Sequence, residues 1–129
     1  MSSSEAVTRG VRVRVDSQYV PEHSQPEREQ FFFAYRVRIS NEGTVPVQLI
    51  SRHWIIESSG GEVEEIQGPG VIGAQPRLEP GQSFEYTSFC PLPTPTGSMR
   101  GTYQMVMDSG EGFDAEVGRF ELSEPLAYN

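Results

Sequence analysis

The chain of 129 residues carries 10 basic side chains, all Arg, against 18 acids, for a net charge of -8. That balance excludes a general nucleic-acid binder, whose affinity rests on neutralising phosphates. The length fits one domain with a core that needs no staples. The single cysteine, Cys90, excludes an intrachain disulfide.

No apolar run approaches the ~20 residues of a membrane span. The segment MSSSEAVTRG lacks the basic start and apolar stretch of a secretory signal. A cytoplasmic protein with no membrane partner is therefore expected. Charge is unevenly spread: residues 1–52 hold 7 Arg and 6 acids, whereas residues 53–129 hold 3 Arg and 12 acids. A solvated acidic surface accounts for this.

Val11, Val13 and Val15 alternate with Arg12, Arg14 and Asp16, the period of a half-buried strand. The polar loop PEHSQPEREQ follows. In FFFAYRVRIS, Phe31, Phe33, Tyr35, Val37 and Ile39 share one face, and Asn41-Glu42-Gly43 supplies a turn. The third strand, VQLISRHWIIES, has apolar residues in both phases around Trp54, so coverage of both faces is expected. Ser58-Ser59-Gly60-Gly61 closes it as a hairpin turn.

Glu62 to Gln67 reads as an edge or bulged strand, because Val63 and Ile66 are out of phase. A Gly/Pro connection runs from Gly68 to Gly81. SFEYTSF follows with Phe84 and Tyr86 inward. PLPTPTG reads as a crossing segment excluded from a central ladder. Met99 to Met107 alternates through Tyr103 and Met105. After Asp108-Ser109-Gly110 the last strand has Phe113, Ala115 and Val117 on one face, and Gly118 shifts the phase to Phe120 and Leu122 as a bulge would. The tail SEPLAYN is expected to be loosely held.

Seven to eight strands with no segment of helical period predict an all-β fold. The expected architecture is an immunoglobulin or fibronectin type III-like antiparallel β-sandwich, with a closed barrel as its rival.

Gly68, Gly70 and Gly73 form a G-x-G-x-x-G. In a dinucleotide site this motif follows a strand and opens a helix whose amides bind pyrophosphate. Here Pro69 lies within it and Pro76 disfavours a helix just beyond. The expected structure is a loop needing positive φ or close backbone approach. A smaller role survives, in which exposed amides form an anion nest. Gly68, Gly70 and Gly73, flanked by Arg52 and His53, are its candidate residues.

Arg12, Arg14, Arg36 and Arg38 share one sheet face if the first two long strands pair. Cross-strand pairing with Asp16, Glu42 or Glu85 is the expected use of their charge. His23 and His53 are distant in sequence, and no metal-binding spacing is present. No nucleophile stands beside a base, no G-x-S-x-G occurs, and Cys90 reads as a small buried apolar residue. Neither a metal nor a cofactor is expected.

The pieces YRVRISN (35–41), QLISRHWII (48–56), GPGVIGAQP (68–76), Pro80-Gly81, YTS (86–88) and GSMRGTY (97–103) together resemble the ApaG family of small bacterial proteins. The resemblance runs from about Val11 to Leu122, within a single domain over residues 1–129. Phe89-Cys90-Pro91 departs from it, where smaller residues are expected.

The resemblance implies a fibronectin type III-like sandwich. It also implies a link to cobalt/magnesium efflux, and a proposed phosphate-binding role for the GPGVIG glycines. Similar domains in eukaryotic F-box proteins and in a DNA polymerase delta-interacting protein imply protein interaction. The expected function is a non-enzymatic module for an unidentified protein partner. The alternative is a binder of a small phosphate-bearing ligand, a nucleotide or pyrophosphate, at Gly68–Gly73. The sequence leaves the oligomeric state open.

Overall fold

A computed structural model describes residues 2–125. Nine strands form two antiparallel sheets: β1 (Ser2–Thr8), β2 (Val11–Tyr19), β3 (Phe31–Asn41), β4 (Val47–Ser58), β5 (Val63–Pro69), β6 (Arg77–Leu78), β7 (Ser83–Leu92), β8 (Thr96–Met107) and β9 (Gly112–Ser123). One sheet runs β1-β2-β3-β7 and the other β5-β4-β8-β9, with β6 also on β4. Two single 3-10 turns, Pro21–His23 and Pro26–Arg28, occupy the β2–β3 loop. The open-sheet sandwich is thus the architecture, not the closed barrel.

Two of the nine strands, β1 and β6, are not among the expected ones. β1 is a polar strand paired along β2, from Ser2 opposite Ser17 to Thr8 opposite Val11. β6 is two residues long and pairs Leu78 with Val47. The buried amide of Asn41 holds it, donating to the Val45 carbonyl at 2.8 Å and the Leu78 carbonyl at 3.0 Å. Phe89-Cys90-Pro91 lies inside β7, and Pro91 pairs with Phe32 on the sheet's edge, where a missing N–H does no harm. At the chain's end the Glu124 amide donates to the Pro95 carbonyl at 2.9 Å. Residues 126–129 of the expected loose tail lie outside the described residues.

The alternating faces of β2 and β3 are buried as the period predicts, from Val11 to Ile39. Arg12, Arg14, Arg36 and Arg38 share the outer face. Arg12 bonds Glu42 at 2.9 Å and Glu5 at 3.0 Å, Arg14 bonds Asp16, and Arg36 bonds Glu85. Arg38 reaches Glu85 at 3.8 Å. The three expected acids take up this charge.

β4 corrects the expectation of two covered faces. Leu49 pairs with Met105 and Ser51 with Gln104, so Ile50 is an extra residue. This bulge switches the inward phase from Val47 and Leu49 to Trp54 and Ile56, all four of them buried. A second bulge puts Gly118 and Arg119 between the Gly101–Val117 and Met99–Phe120 pairs, where the sequence phase shifts.

Trp54, 3 % exposed, is the centre of the core. Tyr103 and Phe120 meet it edge-on at 5.9 and 6.1 Å, and Tyr35 crosses from the other sheet at 5.5 Å. Such pairs add about 0.5–1.5 kcal/mol each beyond area burial. The Tyr86 and Tyr103 hydroxyls share a buried hydrogen bond of 2.5 Å.

Gly101 lies opposite Trp54, and a Cβ there would sit 2.1 Å from the His53 carbonyl oxygen. Gly→Ala within an element ordinarily gains about 0.5–1 kcal/mol. Gly101→Ala is expected to reverse that sign and cost at least about 3 kcal/mol, the upper range for overpacking, in urea unfolding.

Burial raises the thiol of Cys90 to about 12 and raises the phenols of Tyr35, Tyr86 and Tyr103. The unfolded chain releases these protons from about pH 9 upward, near the ordinary thiol and phenol values. Folded stability is therefore fully present below pH ~9 and declines as pH rises toward 12 and beyond. Thermal melts between pH 8 and 12 should show this decline, and Cys90→Ala should flatten part of it.

Candidate functional site

The glycine motif forms a tight hairpin, with no helix at Gly70–Gly73. Gly68, next to the last residue of β5, pairs with Arg52. The Gly70 amide donates to the Ile50 carbonyl at 2.8 Å, which ties the hairpin to the β4 bulge. Val71 and Ala74 exchange amide-to-carbonyl bonds of 2.9 and 2.8 Å around Ile72 and Gly73. Both turn residues have positive φ, 42° and 79°, the signature of a primed hairpin turn.

A Cβ on Gly70, itself at φ 61°, would lie 2.3 Å from the Ala74 carbonyl oxygen, so only glycine fits. Ile72 is β-branched and 62 % exposed in the left-handed region. That conformation costs about 1–2 kcal/mol. The amides of Gly70, Val71 and Ala74 are all committed to backbone carbonyls, the first to Ile50 of β4 and the other two to each other's residue, rather than fanned toward a ligand.

Arg52 follows the bulge and so takes the inward phase. Its Nη1 donates to the Pro69 and Gly70 carbonyls at 3.0 and 2.9 Å. The guanidinium lies flat on Gly68, where an added Cβ would come within 3.1 Å of both terminal nitrogens. Arg52 therefore braces the base of the hairpin through carbonyl oxygens. His53 points to the opposite face. Its Nε2 is 3.6 Å from a Glu65 carboxylate oxygen, beyond hydrogen-bond length, and is enclosed without a partner.

Arg52, His53 and Gly68 border one open hollow of about 620 Å³ with Ser51, Gln75 and Gln104; Gly70 and Gly73 lie outside its lining. The glutamines went unnoticed in sequence, although Gln75 stands in the quoted GPGVIGAQP run. Gln75 Nε2 donates to the Ile50 carbonyl at 2.9 Å, and Gln48 Nε2 donates to the Gln75 carbonyl at 3.1 Å. The Ser51 hydroxyl donates to Gln104 at 2.9 Å, and Gln104 donates to Thr102 at 2.8 Å. Ser51 thus turns to an amide, not to a base. The hollow offers amide edges and the His53 imidazole, beside an Arg52 whose Nη1 donates to the hairpin carbonyls.

A second opening lies between β5 and β7, the edge strands on the other side of the sandwich. Its floor reaches Tyr35, Trp54 and Met99 in the core, and its rim carries Ile66 and Phe89. No motif marks it, because it arises from which strands end each sheet. The out-of-phase Val63 and Ile66 were its one trace in the sequence.

Two open sheets, a Trp-centred core and an arginine-braced glycine hairpin define an immunoglobulin-like β-sandwich domain. The ApaG domain family model matches residues 21–107. Protein ApaG of Anaeromyxobacter dehalogenans strain 2CP-C is 56% identical over 126 residues, covering 98% of this chain and 99% of that protein. Protein ApaG of Bdellovibrio bacteriovorus is 54% identical over 109 residues, covering 84% and 86%. The crystal structure of the putative ApaA protein from Bordetella pertussis superposes with a TM-score of 0.88 at 51% identity, covering 91% and 95% of the two chains. The chain belongs to the ApaG domain family.

Arg52→Leu should leave the two hairpin-base carbonyls without their charged donor, at a cost of about 1.5–3 kcal/mol. Hydrogen exchange at the Gly70, Val71 and Ala74 amides should quicken while the amides of β2 and β3 keep their protection. Arg52→Lys, lacking the planar fork, should restore only part of it.

Proposed function

We propose that this chain is a non-enzymatic cytoplasmic module that binds a protein partner, with the whole chain acting as one ApaG domain. The observation that carries this reading is the exposed apolar rim of the β5–β7 opening. Phe89, stacked on Phe32, is 53 % exposed and Val63 57 % exposed there, on the outer faces of the two edge strands that bound a passage into the core. What sets these two apart from singly exposed apolar residues elsewhere is their place beside an opening with an apolar lining, the setting in which binding sites form. The polar hollow around Ser51 and His53 holds no nucleophile–base pair, which supports a role in binding over turnover. Any link to cobalt and magnesium homeostasis then runs through the partner.

A second reading, a small phosphate-bearing ligand, draws on the gathering of Arg52, His53 and Gly68 around one open hollow. Gly70 and Gly73 would enter this site through the hairpin backbone. The commitment of the Gly70, Val71 and Ala74 amides to carbonyls makes it the weaker of the two.

A photo-crosslinker replacing Phe89 should give a covalent protein adduct in cells that make this chain, and one replacing the exposed Val45 should not. Titration of isotope-labelled protein with pyrophosphate, ATP and diadenosine tetraphosphate should leave the amides of residues 68–76 unshifted. Saturable shifts there, with no adduct at position 89, would replace the first reading by the second.

A further inference from the structure

The two sides of the sandwich are finished differently. On one side β9 is sealed to the other sheet: Glu116 and Glu121 amides donate to the Thr8 and Ser2 hydroxyls at 3.0 and 3.1 Å, and the Ser17 hydroxyl donates to the Glu121 carbonyl at 2.7 Å. On the other side no hydrogen bond joins β5 to β7 among the described residues. The gap between them holds two adjoining cavities of about 290 and 310 Å³ that share Ile56, Glu64 and Pro91.

The first cavity is bounded by Ser88 to Pro91 of β7 and the second by Pro91 to Pro93. They succeed one another at a step of roughly two residues along a strand. Side chains on one face of an extended peptide repeat every two residues, about 6.5–7 Å. Both flanking strands are sheet edges, so each presents unpaired backbone groups toward an incoming strand.

Charge then selects the occupant. Glu64 lines both cavities and Glu62 the second, and neither has an ion-pair partner among the described residues; Arg52, on the wall of the first cavity, donates from Nη1 to the Pro69 and Gly70 carbonyls. Eight of the ten arginines are already within reach of other carboxylates. Edge acids and an edge proline also protect a sheet from aggregation. That purpose explains Glu62, Glu64 and Pro91, but not an apolar passage to the core walled by Ile56, Ile66 and Trp54.

We propose that the β5–β7 cleft receives an extended segment of a partner protein, with two apolar side chains at alternate positions in the cavities and an Arg or Lys beside Glu62 and Glu64. This rests on the protein-binding reading above and gives it a surface and a partner chemistry. It uses the strand-addition mode of peptide recognition, in which edge backbone supplies affinity and pockets supply specificity.

The test is selection of random twelve-residue displayed peptides on the full chain, followed by titration of the enriched peptides. Enriched peptides should alternate apolar residues and carry Arg or Lys. Phe89→Asp should weaken them at least tenfold, with the unfolding midpoint read alongside to separate the loss of its stacking on Phe32, 5.4 Å away. Glu64→Arg should turn the selection toward acidic peptides. Enriched peptides indifferent to Phe89→Asp would overturn the cleft. A dimer in sedimentation that Phe89→Asp dissociates would make a second copy of this chain the occupant and overturn the partner segment. A protein adduct at position 89 with no selectable peptide would overturn the extended segment and leave the module reading standing. Absence of both would overturn the two together.

Discussion

One extra residue in β4 organises the molecule. Were Ile50 paired in a regular ladder rather than bulged out of it, a strand that buries Val47 and Leu49 would send Trp54 and Ile56 to solvent, because side-chain direction alternates strictly. The bulge lets one twelve-residue strand serve the core at both ends. It has a second consequence, because a bulged residue is freed from regular pairing. The Ile50 carbonyl accepts from both the Gly70 amide and the Gln75 side chain. The phase switch also turns Arg52 inward, under the base of the hairpin that the Ile50 carbonyl holds from its other side. Core, hairpin and hollow therefore share one local irregularity.

Much of this fold was legible because alternation is a strong signal wherever one face is buried. The phases of β2, β3 and β7, the Gly118 shift, and the pairing of the four outer arginines with Asp16, Glu42 and Glu85 all followed from period and spacing. β1 was missed for a physical reason. Its residues, SSSEAVT, are small and polar, and it is held by backbone pairing and hydroxyl bonds rather than by apolar burial. β6 is too short for any period to show. The misreading of β4 is more instructive. A one-residue phase switch and burial on both faces leave the same trace, apolar residues at odd and even positions, and only the register tells them apart.

The site was legible in part. Pro69 and Pro76 were enough to remove the helix from the glycine motif, and the structure has a hairpin there. Arg52 looked like a cation beside a loop of amides. Its actual acceptors are carbonyls, and that follows only once the bulge has set its direction. The β5–β7 opening was not legible at all beyond two out-of-phase residues. Openings between sheets depend on the order of strands, and strand order is a long-range property.

The sealed and open sides together bear on what the chain is built to do. Closing a sandwich edge requires little: three hydroxyls in β1 and β2 suffice to reach β9. β5 and β7 could have been finished the same way with a few small polar residues. Instead the rim carries a phenylalanine and a valine in water, each forgoing much of the roughly 1.5–3 kcal/mol that full burial of such a side chain provides. Ile72 adds a further cost at the hairpin tip, where Asn or Gly would sit without strain. A domain of this size has only about 5–15 kcal/mol of net stability, so these departures are not small. Exposed apolar groups that weaken the isolated fold are recovered only when something covers them. Phe89 and Val63, on the outer faces of the strands that bound the passage to Tyr35 and Trp54, put that cover at the open edge of the sandwich.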